Sequence, residues 1–170
     1  MHYEFSKDIK DGEEGEVRVA EMICRKCDGI CSVEHNDDIR YDWKFGLDDG
    51  NSVTVEVKND KMIDKTRNFA FEVECRHKPS GVIATQSDLF VVYCNVDDNE
   101  HAYAFKTDFL KRICESGAYK TVQGGDKDGY GNPTTKMVLV PKDRVIKNAA
   151  DIAERESIDL RKFASECKKV

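Results

Sequence analysis

Glu56 and Lys58 place an acid and a base two residues apart in Ser52–Lys58, a run that alternates between polar and β-branched residues. Because the side chains of a β-strand alternate between its two faces, both groups point the same way, with valines on the other face. A carboxylate beside a lysine suits metal-assisted cleavage of a phosphodiester. Carboxylate oxygens hold Mg²⁺, the metal lowers the pKa of a bound water, and the lysine orients that water or offsets developing negative charge.

A partner strand is predicted just before this run, over Tyr41–Leu47, and the turn residues Asp48–Asn51 join the two strands into a β-hairpin. Asp42 lies near the start of the partner strand, where its carboxylate is expected to converge on Glu56. Trp43 then points to the opposite face and is predicted to be a core residue. The hairpin is therefore expected to bring two carboxylates and one lysine together.

Length and composition indicate one globular domain spanning residues 1–170. The chain is 39% hydrophobic and 35% charged, which is enough to bury a sizeable core. Residues 1–11 are a polar lead-in without the regions of a signal peptide, and no run approaches the ~20 apolar residues of a membrane span. We therefore expect no membrane partner and a cytoplasmic location, in the host cytoplasm if the source is viral. The seven cysteines are predicted to be reduced thiols.

The net charge of −6 opposes a nucleic-acid ligand, since most proteins that bind one present a basic surface. However, a carboxylate-lined metal site contributes negative charge that Mg²⁺ offsets, and a local basic patch can coexist with an acidic whole. Six basic residues do gather within and after the second predicted strand: Lys58, Lys61, Lys65, Arg67, Arg76 and Lys78. Taken alone, this cluster fits a DNA contact and a solvated mixed-charge face about equally well.

Periodicity along the rest of the chain predicts an α/β fold with a central mixed β-sheet flanked by helices. Helices are predicted over Glu13–Cys31, Thr107–Ser116 and, within the C-terminal segment 149–170, Ala149–Cys167. Strands are predicted over Phe69–Cys75, Leu89–Cys94, Ala102–Lys106 and Met137–Val140. The unbroken apolar run Leu89–Cys94 is expected to be a buried central strand. The turn-rich segment Gln123–Asn132 is expected to be a loop.

The chain resembles the PD-(D/E)XK nuclease superfamily, in particular its archaeal Holliday-junction resolvases. Four residues have the order and rough spacing of the motif residues in those proteins: Glu16, Asp42, Glu56 and Lys58. The run Asn68–Glu74, followed by Lys78–Val82 and Ser87-Asp88, looks like a phage-type endonuclease branch of that superfamily. Tyr41 stands where the motif usually has proline. Because a proline side chain has no atom that binds a metal, this difference leaves the implied metal ligands unchanged. The similarity covers roughly Gly12–Pro141.

This resemblance implies a metal-dependent endodeoxyribonuclease. Asp42 and Glu56 would bind Mg²⁺, for which Mn²⁺ would substitute, together with the backbone carbonyl of Val57. Lys58 would position the attacking water, and Glu16 would supply a second-metal or water-mediated contact. The implied partner is DNA. Branched or junction DNA and a homodimer are favoured by fold-level analogy, because two sites are the simplest way to cut two strands.

The third predicted strand and the loop after it carry further candidates. Glu72 and Glu74 share one strand face and are expected either to support the metal site or to face solvent. The resemblance implies a substrate-facing loop in which three residues, together with Lys61, contact DNA: Arg76, His77 and Lys78. Composition alone predicts only a turn there.

Two alternatives stay open. The first is a zinc or iron–sulfur protein, because three cysteines in the first predicted helix have suitable spacing, with a histidine beyond: Cys24, Cys27, Cys31 and His35. The three cysteines also share that helix's apolar stripe, which favours core packing. The second alternative is a non-catalytic nucleic-acid-binding or protein-binding module on the same fold. The intact acids and lysine of the hairpin argue against it.

Overall fold

The structure is a computed structural model that describes residues 14–38 and 40–166, so the polar lead-in predicted for residues 1–11 lies outside the described residues. The strands are β1 Ile30–His35, β2 Trp43–Leu47, β3 Ser52–Asn59, β4 Asn68–Cys75, β5 Lys78–Pro79, β6 Leu89–Val96, β7 Asn99–Lys106, β8 Lys120–Lys127, β9 Pro133–Pro141 and β10 Ala150–Asp151. The helices are α1 Glu14–Lys26, α2 Ile63–Thr66, α3 Gly81–Ala84, α4 Thr107–Glu115, α5 Lys142–Val145 and α6 Leu160–Glu166. Across the part of the chain described, no helix has the length and apolar character to cross a membrane.

The first sheet is mixed and has the order β1-β2-β3-β6-β7-β10. The predicted hairpin is confirmed, since β2 and β3 are antiparallel, with Trp43 opposite Val55. Its other neighbour, β6, runs parallel to β3 and is buried along most of its length. The predicted α/β class and central position of this apolar strand are therefore confirmed.

A second, antiparallel sheet with the order β5-β4-β9-β8 packs against the first. The predicted strand Phe69–Cys75 belongs to this sheet, as part of β4. The prediction of a loop over Gln123–Asn132 is wrong in its first half, because β8 continues to Lys127 by pairing with β9. Pairing with a neighbour satisfies the backbone of this glycine-rich segment, a tertiary effect that composition does not report.

Two apolar layers explain which way the hairpin residues point. One layer lies between the first sheet and helices α1 and α6, and it contains Val55 and Leu89. The other lies between the two sheets and contains Phe90 and Phe71. Because side chains alternate along β3, Glu56 points away from the layer that holds Val55 and towards the second sheet.

Helix α1 is shorter than predicted, ending at Lys26 rather than Cys31. Gly29 then adopts a φ of 82°, which glycine tolerates, and the chain reverses into β1 beside β2. Cys31 therefore lies exposed on a strand and not on the buried helical stripe that we predicted.

Helix α1 is anchored to the first sheet by a polar network. The Arg18 guanidinium donates to both carboxylate oxygens of Glu100, at 2.7 and 3.3 Å, and the Tyr93 hydroxyl donates to the same carboxylate at 2.7 Å.

The predicted C-terminal helix Ala149–Cys167 is wrong over most of its described length. The chain instead adds the short edge strand β10, and only α6 is helical. One carboxylate oxygen of Asp151 accepts the backbone N–H groups of Ala102 and Ala153, and Lys26 donates to two carbonyls of the following segment. The hydrogen bonds that involve Ala102 and Lys26 join distant parts of the chain, and they favour the extended conformation over the helix that local pattern predicts.

Candidate active site

The centre of the candidate site is the point where β3 continues beyond its partner β2. The first residue of β2, Trp43, lies opposite Val55. Asp42 comes directly before it and therefore lies beside the part of β3 that follows Val55. The Asp42 backbone N–H donates to the Val55 carbonyl at 3.0 Å, and the Asp42 carboxylate accepts the Val57 N–H at 2.7 Å. The N–H and C=O of a strand residue point to the same side. The Val57 carbonyl therefore faces the side on which Asp42 lies.

Glu56 is partly buried next to this pair and accepts a hydrogen bond from the Thr85 hydroxyl at 3.2 Å. Burial, followed by the negative charge of Asp42, raises the pKa of Glu56 to about 7; Glu16 adds a smaller contribution in the same direction. Three carboxylates therefore share one electrostatic neighbourhood. A bound cation would relieve this crowding of negative charge.

Glu16 reaches this neighbourhood from the first turn of α1. Its carboxylate lies 3.4 Å from Nε2 of His35, which is at the end of β1, and its side chain is only 20% exposed. Ala20 and Ile23 continue its face of the helix and are fully buried. This face of α1 therefore directs Glu16 towards the sheet.

Lys58 and Glu56 line one wall of a cleft of about 410 Å³ between the two sheets. The opposite wall includes Glu72 from β4, whose carboxylate accepts a hydrogen bond from the Ser80 hydroxyl. The structure thus places one of the two supporting acids beside the hairpin residues. Glu74 lies elsewhere, in a separate cavity near the β8–β9 turn.

The four predicted DNA contacts do not line the cleft, although all are exposed: Lys61, Arg76, His77 and Lys78. Arg76 and His77 form the β4–β5 turn, with φ values of 50° and 64°, and border the same cavity as Glu74. Lys78 stands next to Pro79, which does line the cleft. Any DNA contact by these residues would therefore be made outside the cleft.

The donor set at Asp42 fits Mg²⁺ better than a softer metal. Two carboxylates and one backbone carbonyl are hard oxygen ligands, and Mg²⁺ in proteins keeps several waters besides one or two carboxylates. Among the described residues, the only three His, Cys, Asp or Glu ligand atoms within 4.8 Å of one another belong to His101, Asp151 and Glu154, at the β7–β10 edge. Glu16, Asp42 and Glu56 do not form so tight a set.

The cysteines give no support to a zinc or iron–sulfur site. Cys24 and Cys27 are buried, whereas Cys31 is exposed on β1. Burial raises the pKa of the Cys24 thiol to about 12, as for a cysteine packed in an apolar core. The His35 ring lies beside Glu16, and no cysteine–histidine set gathers within the described residues.

Sequence reasoning missed the role of Thr85. Thr85 directly follows the short helix α3, and its side chain is buried. Its hydroxyl lies within hydrogen-bonding distance of Glu56 and of the Arg40 carbonyl, and its own carbonyl accepts a hydrogen bond from Lys111 at 2.7 Å. No local signal identifies such a contact, because its partners are far away in the sequence.

A scan of protein-family models, a search of curated proteins and a search of solved structures each found no match to this chain. The resemblance to PD-(D/E)XK nucleases therefore depends on the sequence motif alone.

The raised pKa of Glu56 predicts that Glu56→Gln stabilises the metal-free protein. Because the pKa of Glu56 is higher in the folded than in the unfolded state, ionisation of Glu56 lowers the free energy of unfolding. The full loss applies above pH 7, and there is no loss at pH values far below 4.5. Glutamine mimics the protonated acid. We expect a gain of about 1 kcal/mol at pH 8.5 in EDTA, after allowing for solvent screening, and almost none at pH 4. Urea unfolding at the two pH values measures it, and an equal change at both would contradict it.

Gly81, in the cleft wall, provides a test of the packing of α3 on β4. Its φ is 50°, and a Cβ there would lie 2.5 Å from the Glu72 carbonyl oxygen. Gly117 has a φ of 70° and nothing within 4 Å of an added Cβ, so it is a matched control. We expect Gly117→Ala to cost about 1 kcal/mol through backbone strain and Gly81→Ala at least about twice as much. Equal losses in thermal unfolding would show that the close approach to Glu72 is unimportant.

Proposed function

We propose that this chain is a Mg²⁺-dependent endodeoxyribonuclease of the PD-(D/E)XK type. The observation that supports the proposal most strongly is the position of Asp42. Its carboxylate accepts the Val57 N–H, which the backbone of a neighbouring strand would otherwise bind. Glu56 and Lys58 follow on the adjoining cleft face of the same strand. Hard oxygen donors and a lysine therefore lie along one stretch of β3 and beside it.

Each residue then has a chemical role. Asp42, Glu56 and the Val57 carbonyl would hold Mg²⁺, with Mn²⁺ as a substitute. When bound, the metal would make its water more acidic and stabilise negative charge on the phosphate. Lys58 positions the attacking water or offsets charge on the phosphate. Glu16 contributes a second-metal or water-mediated contact, and Thr85 holds Glu56 in place.

Glu72 has a supporting role in this proposal. It lines the same cleft as Glu56 and Lys58, and its carboxylate accepts a hydrogen bond from the Ser80 hydroxyl. Glu74, which lines a different cavity, is not assigned a role at the metal.

The proposed substrate is DNA, with branched DNA and a homodimer favoured by the resolvase-like arrangement. The test is cleavage of a labelled four-way junction and its matching linear duplex in Mg²⁺, Mn²⁺ or EDTA. We expect cleavage with either metal, none in EDTA, and faster cleavage of the junction. If the protein binds DNA and cuts neither substrate with either metal, the nuclease proposal fails and the non-catalytic binding module replaces it.

A further inference from the structure

A second cavity, of about 370 Å³, lies at the ends of β6 and β7, between α4 and the segment that leads into α6. Its size is within the range of sites that bind small molecules. Much of its lining is apolar and comes from these residues: Leu89, Phe109, Ile152, Ile158, Leu160 and Phe163. Nothing in the proposed cleavage reaction uses this cavity.

The polar lining of this cavity is strongly cationic, although the chain as a whole carries a charge of −6. Five of its side chains are basic: Lys106, Arg112, Lys147, Arg155 and Lys162. The only acidic residue in the lining is Asp159, and its carboxylate accepts the backbone N–H groups of Arg161 and Lys162. Positive charge is therefore concentrated here and would attract an anion.

We infer that this cavity binds a nucleotide, with the base against the apolar lining and the phosphate on the cationic rim. Phe109 and Phe163 can contact the face or edge of a base. Arg112 and Arg155 are exposed, and arginine pairs well with phosphate oxygens. An inorganic phosphate would leave the apolar lining unused, and a fatty acid would have no ring for Phe109 and Phe163 to contact.

The cavity is connected to the candidate active site through α4. Phe109 and Arg112 of this helix line the cavity, while Lys111 between them donates to the Thr85 carbonyl. The Thr85 hydroxyl in turn donates to Glu56. On the basis of the proposed function, we extend the inference to a nucleotide of the DNA that the site would cut. Since its base must enter the cavity, that nucleotide would be unpaired, as at a branch.

The test measures binding without metal, so that it does not depend on cleavage. Fluorescence anisotropy would follow a labelled 12-nucleotide oligothymidylate in EDTA between 50 and 200 mM NaCl. The variant is Arg112→Ala/Arg155→Ala. The control is Lys120→Ala/Arg144→Ala, which removes two exposed cations that do not line the cavity. Melting temperatures of both double variants would verify that each is folded.

We expect the cavity variant to bind at least about tenfold more weakly than the wild type, and the control less than about threefold more weakly. Losing two phosphate contacts should also reduce the slope of log affinity against log salt by about 1.4 for a single strand. Competition separates the sources of the nucleotide. Free dTMP displaces the oligonucleotide if a mononucleotide suffices, and it does not if the site needs a strand.

Three results would overturn the inference: no binding of oligonucleotide or dTMP by the wild type, equal weakening in the two double variants, or displacement of the oligonucleotide by laurate. Failure of the nuclease proposal has a different signature. In that case binding in EDTA still depends on Arg112 and Arg155, but no metal supports cleavage.

Discussion

Replacing Lys58 by alanine is expected to slow metal-dependent DNA cleavage at least about a hundredfold, the usual scale for losing a group that acts in proton transfer or on developing charge. Lys58 borders the cleft beside Glu56. In the proposed function its ammonium group would orient the attacking water or offset negative charge on the phosphate. Because binding without metal involves many other cations, we expect DNA affinity in EDTA to fall only severalfold. Single-turnover rates and anisotropy measure the two effects separately.

Lys65→Ala is the matched control for this substitution. Lys65 is exposed on α2, a few residues after β3, and does not line the cleft. Lys65→Ala removes the same charge without changing the site. The cleavage rate of this variant should therefore remain within about threefold of the wild-type rate, as for most surface changes. Similar rate losses in both variants would mean that Lys58 acts only through the general charge of the protein.

Replacing Asp42 by asparagine is expected to abolish stabilisation by Mg²⁺. Asparagine keeps an oxygen that can accept the Val57 N–H but removes the negative charge that would bind the metal. For a dissociation constant of about 1 mM, 10 mM Mg²⁺ would stabilise the wild type by about 1.4 kcal/mol. Thermal unfolding with and without Mg²⁺ should therefore show a shift in the wild type and almost none in Asp42→Asn.

Glu154→Gln distinguishes this site from the His101, Asp151 and Glu154 cluster at the β7–β10 edge. The Glu154 side chain is 71% exposed, so its replacement should leave the fold unchanged. If Mg²⁺ binds at Asp42, the shift survives in Glu154→Gln. Loss of the shift in Glu154→Gln, with retention in Asp42→Asn, would place the cation at the β7–β10 edge and contradict the proposed ligand set.

Local sequence pattern was sufficient to predict the hairpin that forms the core of the candidate site. Alternation of polar residues and valines fixed the face of Glu56 and Lys58, and the Asp-Asp-Gly-Asn turn fixed the neighbouring strand. The position of Trp43 in the core follows from the same alternation and is confirmed by its 2% exposure.

The parts that sequence did not predict depend on contacts between distant segments. Glycine-rich β8 is a strand because β9 pairs with it, and β10 is extended because Asp151 bonds to β7. Thr85 reaches Glu56 from 29 residues away. Periodicity and propensity describe neighbours in the sequence, so such contacts are outside their scope.

In the proposed function, the carboxylates near Glu56 lower the stability of the metal-free protein and bind the metal. Glu56 is kept partly buried near Asp42 and Glu16, an arrangement that costs folding free energy when it is ionised without a cation. The same residue is expected to be essential for metal-dependent cleavage. Glu56→Gln should therefore be more stable than the wild type at pH 8.5 in EDTA and yet inactive, a combination that misfolding cannot produce.

The most direct test of the account is the initial rate of junction cleavage against Mg²⁺ concentration, for the wild type and Glu56→Gln in parallel. We predict a wild-type rate that rises with Mg²⁺ and saturates, no cleavage in EDTA, and a rate at least about a hundredfold lower in Glu56→Gln. Equal rates for the two proteins, or no cleavage by the wild type with Mg²⁺ or Mn²⁺, would contradict the assignment of this site to a nuclease.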